Sequence, residues 1–132
     1  MSISFDQVAI GNAYDRRELI ELWGYAGIEA LQRGVVTPRR DNKVILFVTE
    51  QKDPSATQYQ DRLIGEMLEW EGPNDHFAED RMINAAANRD EIHLFHRMKP
   101  TERFVYYGEL DVMDCQRQTD RPSRFKFRKR SR

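Results

Sequence analysis

The run KVILFVTE, residues 43–50, sets the tightest limit on what this chain can fold into. Val44, Ile45, Leu46, Phe47 and Val48 follow one another without a polar residue, and the run is rich in β-branched and aromatic side chains. Successive strand residues point to opposite faces, so an unbroken apolar run of this length is the pattern of a strand buried on both sides. At 132 residues the chain has room for one compact body and too little for two cores of useful size, so a single domain spanning 1–132 is expected.

A second strand signal is of a different kind. In EIHLFHRMKPTERFVYYGELDV, residues 91–112, apolar residues recur at alternate positions, as in an antiparallel hairpin of strands 91–98 and 103–113 turning at KPTE. Simple alternation places His93, Arg97 and Tyr107 on one face, and His96 and Tyr106 on the other with the apolar residues. A one-residue slip in register would change that assignment.

The remaining elements read more coarsely. Asp15 followed by Glu18 is a capping-box variant, and Leu19, Ile20, Leu22 and Trp23 give the apolar face of a helix over 15–23 that stops at Gly24. AGIEALQR predicts a second short helix ending at Gly34. QKDPSATQYQ has the composition of an exposed loop centred on Pro54 and Ser55. Residues 63–70 fit helix and strand spacing partly, and are assigned as a strand. The alanines of DHFAEDRMINAAANRD predict a helix over 76–87. In SRFKFRKR, Phe125 and Phe127 alternate with Arg124, Lys126 and Arg128, so the end of the chain reads as a strand. Mostly antiparallel strands with short helices inserted indicate an α+β architecture, a strongly curved sheet closing toward a barrel.

Charge is unevenly placed. The formal net charge is −1, yet residues 117–132 hold eight basic side chains against Asp120, leaving 13 basic and 21 acidic residues elsewhere. A basic segment near +7 is thus joined to a body near −8. Such a segment suits phosphates or an acidic partner, or is simply a solvated end. No apolar run approaches the roughly 20 residues of a membrane span, and MSISFDQ has neither a basic nor an apolar leader region, so a cytoplasmic location with no membrane partner is expected. Cys115 is the single cysteine, which rules out an internal disulfide.

No sequence signature of catalysis is present: GxSxG, a Gly-rich phosphate loop and HExxH are all missing. His93 and His96, three apart on a strand, point to opposite faces and are poorly placed to share a metal. No catalytic residue, cofactor or metal is therefore expected. Tyr59, Asp61, Trp70, His93, Arg97, Tyr106 and Tyr107 supply instead the ingredients of a pocket for a planar base, aromatic faces for stacking and polar groups for the base edge. Arg124, Lys126, Arg128 and Lys129, with Arg39, Arg40 and Lys43, are the candidate phosphate contacts.

Stretches AYDRRELIELWGY, KVILFVTEQKDPSATQYQDRL, EWEGP and EIHLFHRMKPTERFVYYGEL, in this order, resemble the domain at the C-terminus of many bacterial superfamily-2 helicases, also joined to HNH nucleases in defence systems. The resemblance rests on Tyr14 and Arg16; Leu46 to Thr49; Tyr59 and Asp61; Leu68 and Trp70; Leu94, Phe95 and Arg97; and Phe104, Tyr106 and Gly108. It implies a PUA-like or SRA-like curved sheet that recognises DNA, with a modified base as ligand and a separate nuclease or helicase subunit as partner in restriction or defence. The chain departs from the pattern after the tryptophan strand, where NDHFAEDRM replaces a glycine-containing stretch. A protein-interaction or DNA-mimic subunit, with an acidic body and basic tail, is the alternative. A small hydrolase of modified nucleosides is the third reading.

Overall fold

A computed structural model describes residues 3–51, 61–73 and 75–130. Its elements are β1 (Ala13–Tyr14), α1 (Arg16–Trp23), a 3-10 helix (Ile28–Leu31), β2 (Val35–Val36), β3 (Lys43–Thr49), β4 (Arg62–Ile64), β5 (Met67–Glu71), α2 (Glu79–Ile83), α3 (Ala85–Asn88), β6 (Glu91–Arg97), β7 (Phe104–Gln116) and β8 (Arg124–Lys129). The predicted strand over 63–70 is a tight hairpin of β4 and β5 because Gly65, at φ 58°, lets the chain reverse. The predicted helix over 76–87 is two short helices, since Asn84 leaves helical geometry between them.

Helix α1 forms as its sequence requires. Asp15 Oδ1 accepts a hydrogen bond from the Glu18 N–H at 2.8 Å, and Glu18 Oε1 accepts one from the Asp15 N–H at 3.2 Å. Gly24 ends the helix in the left-handed region, and Leu19, Ile20 and Trp23 are buried on one face.

The strands form one sheet in the order β2-β3-β6-β7-β8-β5-β4, with β1 pairing β7 off this path. Pairing is antiparallel except between β3 and β6, which run parallel from Lys43 beside Glu91 to Thr49 beside Arg97. Parallel strands in a two-sided core are apolar on both faces, which accounts for the unbroken run in β3. Val44, Leu46 and Val48 enter an inner cluster, and Ile45 and Phe47 an outer one.

The inner cluster joins Val35 and Val44 to Trp70 and Phe125, residues from strands well separated in the sheet order. Only a curled sheet brings them into one core. Among the described residues the sheet is not closed into the expected barrel: the short edge strands β2 and β4, of two and three residues, do not pair with each other. One side chain partly bridges it, Glu50 Oε2, which accepts from the Leu63 N–H at 3.0 Å. Helices α2 and α3 supply Met82 and Ala85 to the inner cluster. Helix α1, the 3-10 helix and residues near the N-terminus cover the outer face with Leu19, Ile20, Trp23, Leu31, Ile3 and Val8.

Register in the 91–112 hairpin departs from simple alternation. Leu94 pairs with Gly108 but Phe95 with Tyr106, so Tyr107 is an extra residue in β7. Gly108 sits beside this bulge at φ 88°. The insertion reverses the expected tyrosine assignment: Tyr106 belongs to the outer cluster with His93, while Tyr107 packs against the inner cluster and meets the His96 ring edge-on at 5.7 Å. A second bulge at Met113 shifts the pairing of β7 with β8.

The basic C-terminal segment is built into this sheet. β8 lies between β7 and β5, with Phe125 and Phe127 fully buried and Arg124, Lys126 and Arg128 exposed, as alternation predicts.

Candidate functional site

A groove of about 750 Å³ opens where the ends of β3 and β6 face the β4–β5 hairpin and the start of β8. Met98 supplies its exposed apolar surface, while Trp70 and Phe125, 5% and 1% exposed, border it from the core. Among the described residues its polar lining includes five carboxylates, Glu50, Asp61, Glu69, Glu71 and Asp114, and three cations, Arg62, Arg124 and Lys126. The volume is that of a small-molecule site, but the lining is mainly charged, with only a minor apolar share.

The strand ladder fixes the positions of these charges. Arg62 pairs with Glu69, Glu69 with Lys126, and Lys126 with Asp114, so four neighbouring strands carry a row of alternating sign. In the next row Glu71 lies beside Arg124 and Arg124 beside Gln116. Asp61 Oδ1 accepts from the Glu71 N–H at 2.9 Å, holding the carboxylate against the end of β5. Glu50 is held by two donors, the Leu63 N–H and His96 Nε2 at 2.7 Å, and His96 is itself buried.

Of the residues singled out from sequence, the groove brings together Asp61, Trp70, Arg124 and Lys126. Trp70 is 5% exposed, its ring packed edge-on against Phe125 at 5.6 Å, so it forms the floor more than a free stacking face. Tyr59 lies outside the described residues. His93 and Tyr106 are in the outer core, on the far side of the sheet, because the β7 bulge turns Tyr106 toward α1. There His93 Nδ1 meets the Tyr106 hydroxyl at 2.7 Å, His93 Nε2 meets Glu91 Oε1 at 2.9 Å, and the Phe5 ring stacks on the imidazole at 3.7 Å. Tyr107 carries the Lys129 ammonium over its ring at 4.8 Å, which draws Lys129 away from the groove. Arg128 lies 3.6 Å from Glu66. Arg39, Arg40 and Lys43 sit at the start of β3, with the groove beyond its other end. Six strand steps separate Lys43 from Thr49, about 20 Å. Lys43 is also paired with Asp41 and Glu91.

Apart from Asp61, the carboxylates of the groove are not separable by sequence from the many other acids of the chain. Among the others, Glu50 has a positional signal, as the first charge after the apolar run.

Arg97 lies behind the groove rim. Its Nε donates to Thr49 Oγ1 at 2.8 Å and its guanidinium stands 4.2 Å from the Phe104 centroid. Arg16 reaches the same ring at 4.9 Å and the Phe47 ring at 4.7 Å. Burial, and next the charge of Arg97, bring the Arg16 pKa down to about 10. Burial also lowers Arg97, against the opposing pull of Glu102.

Two other polar sites carry groups capable of chemistry. Glu91, His93 and Glu109 bring ligand-type atoms within 4.8 Å of one another. Lys43 lies 3.6 Å from Glu91, and Arg130 lies 2.5 Å from Glu109 and from Asp111, so these acids already have cationic partners. This is an ion-pair network. The Cys115 thiol is pushed up, first by burial and then by Glu79, which keeps it protonated and a poor nucleophile.

No protein-family profile matches the sequence, and no curated protein matches it. Solved structures do match. The SUVH5 SRA domain in complex with hemi-methylated CG DNA aligns with TM-score 0.66 at 15% identity, over 100% of this chain and 95% of that one. The SUVH5 SRA complex with fully methylated CG DNA gives 0.65 at 13% identity, over 100% and 96%. The DNA modification-dependent restriction endonuclease AspBHI gives 0.56 at 12% identity, over 96% and 79%. At these identities the likeness is one of fold, and the chain has an SRA-like fold. Among the described residues, no helix is long and apolar enough to cross a membrane.

Proposed function

We propose that the chain is a non-catalytic DNA-binding module that takes an extruded, modified base into the groove at the end of β3. The observation that carries this reading is the meeting of Asp61, Trp70, Arg124 and Lys126 at one groove in a sheet of the SRA type. SRA domains of this fold were solved on methylated DNA, and AspBHI is a modification-dependent nuclease.

The lining suits particular bases. Carboxylates accept hydrogen bonds from the exocyclic amino groups of cytosine and adenine, whereas thymine offers none. Asp61, held by the Glu71 N–H, is the base-edge acceptor, and Arg124 and Lys126 contact the phosphates that flank the flipped nucleotide. Extrusion costs a few kcal/mol of stacking and pairing, which the pocket contacts must offset. A separate nuclease or helicase subunit acts after recognition, in a restriction or defence setting.

The test is a binding titration by fluorescence anisotropy, using duplexes with and without modified cytosine or adenine. One modified duplex is expected to bind at least tenfold more tightly than its unmodified counterpart. Asp61→Ala should erase the preference while leaving weak, salt-dependent binding. Equal affinity for every duplex refutes the reading.

A further inference from the structure

We propose that Arg16 and Arg97 form a second anion site, a guanidinium pair behind the groove rim that grips the phosphodiester backbone of the strand whose base enters the groove. This inference rests on reading the chain as a DNA-binding module.

The geometry is unusual for two arginines with a purely structural role. Both guanidiniums lie within 5 Å of the centroid of one ring, Phe104, which is 2% exposed. Like charges so placed repel, and each loses hydration to the apolar rings beside it. Arginines in such a position ordinarily have a carboxylate to offset the cost. Among the described residues neither has one within ion-pair distance. Arg16 donates from Nε to the Leu31 carbonyl at 2.6 Å. Arg97 donates from Nε to Thr49 Oγ1 and from Nη1 to the Glu102 carbonyl at 3.1 Å.

Glu102, which acts on Arg97, and Glu18, two residues from Arg16, are already engaged. Glu102 Oε1 accepts from the Met98 and Lys99 N–H groups at 3.2 and 3.3 Å, and Glu18 pairs with Arg103. Both Nη groups of Arg16 and Nη2 of Arg97 thus lack an acceptor among the described residues. Both side chains keep part of their surface in solvent. They are held in place by rings and backbone carbonyls, so little rotamer entropy is left to lose when a phosphate binds.

Position identifies the anion. Arg97 immediately precedes Met98 of the groove, and its partner Thr49 immediately precedes Glu50 of the groove. The guanidiniums themselves stand over the Phe104 and Phe47 rings of the outer cluster, at the ends of the strands that lead to the lip. A base entering the groove brings its own backbone across that lip. The groove itself holds more carboxylates than cations, so backbone affinity has to come from outside it.

The test uses the intact chain with isotope-labelled arginine. The Nε–Hε resonances of Arg16 and Arg97 are followed as a modified duplex, an unmodified duplex and inorganic phosphate are added separately. Both resonances are expected to shift with either duplex. Arg97→Gln should weaken both duplexes by the same factor, about tenfold, and reduce the slope of log affinity against log salt by about 1, as for one lost phosphate contact. Resonances that stay in place while DNA binds overturn the inference, as does a folded Arg97→Gln variant with an unchanged slope. Shifts with inorganic phosphate alone overturn the assignment to a nucleic-acid backbone. If Arg16→Gln fails to fold, the spectra of the unaltered chain still decide. Shifted resonances without preference for the modified duplex refute the base-reading proposal alone, and a preference with unmoved resonances refutes this one alone.

Discussion

Glu50 is the point at which the open side of the curled sheet is tied, and Glu50→Ala tests that role. One carboxylate oxygen, Oε2, accepts from the Leu63 N–H of edge strand β4 and from His96 Nε2 in the core. Removing it leaves a part-buried amide and a 5% exposed imidazole without their acceptor. Each orphaned group costs about 1–3 kcal/mol. Water can enter the vacated space from the groove, which favours the lower half of that range. The expected loss is about 2–4 kcal/mol, or a fall in Tm of roughly 8–16 °C for a chain of this size. Glu50→Gln keeps an acceptor and gives up only the strength of the charge-assisted bonds, so about 1 kcal/mol is expected. Urea unfolding measures both, and amide hydrogen exchange at Leu63 reports the tie itself. Its protection should drop in Glu50→Ala by more than that of β6 amides. Stability within about 0.5 kcal/mol of the unaltered chain, with Leu63 exchange unchanged, would show that the hairpin is held by its apolar contacts alone.

Gly108→Ala should destabilise by about 1–2 kcal/mol in urea unfolding, because a Cβ at φ 88° is strained and would stand 3.0 Å from Ile10 Cδ1. A neutral result would mean that the bulge does not need glycine. Glu91 contributes to acid sensitivity: burial raises its pKa, but the His93 hydrogen bond and Lys43 outweigh that and leave it below the ordinary glutamate value. A depressed folded pKa stabilises above the unfolded value of about 4.3 and loses that contribution as pH falls through the folded value. Glu91→Gln should therefore flatten the dependence of stability on pH below about pH 5 while changing its shape little at pH 7, as followed by urea unfolding at a series of pH values.

How much of this was legible in the sequence depended on whether one residue or a register carried the information. The capping box at Asp15 and Glu18, the two-faced strand β3 and the alternating β8 are local patterns, and each formed where the pattern lay. The parallel pairing of β3 with β6 is not local, since nothing in an apolar run names its neighbour. The faces of Tyr106 and Tyr107 turned on one bulge, for which the only trace in sequence is Gly108 two residues after Tyr106. The groove was half legible for the same reason. Trp70 and Asp61 stand out by type, whereas Glu69 and Asp114 matter only because the ladder sets them on either side of Lys126. Arg16 and Arg97, 81 positions apart, share a ring that no spacing rule connects.

The contrast between an acidic body and a basic end, so sharp along the chain, largely dissolves in three dimensions. Arg130 bridges Glu109 and Asp111, Arg117 pairs with Asp80, Arg128 lies beside Glu66, and Lys126 sits between Glu69 and Asp114. With β8 in the middle of the sheet and Phe125 and Phe127 in its core, the segment is no detachable arm, which removes the premise of docking by a basic tail. It also limits what DNA binding can look like. Eight phosphate contacts from residues 117–132 would give a slope of log affinity against log salt near −7. If only Arg124, Lys126 and the Arg16–Arg97 pair meet phosphates, the slope should lie near −2 to −4 between 50 and 200 mM salt. A measured value near −7 would require the ion pairs of β8 to open on binding, and would place the backbone along that strand instead of across the groove lip.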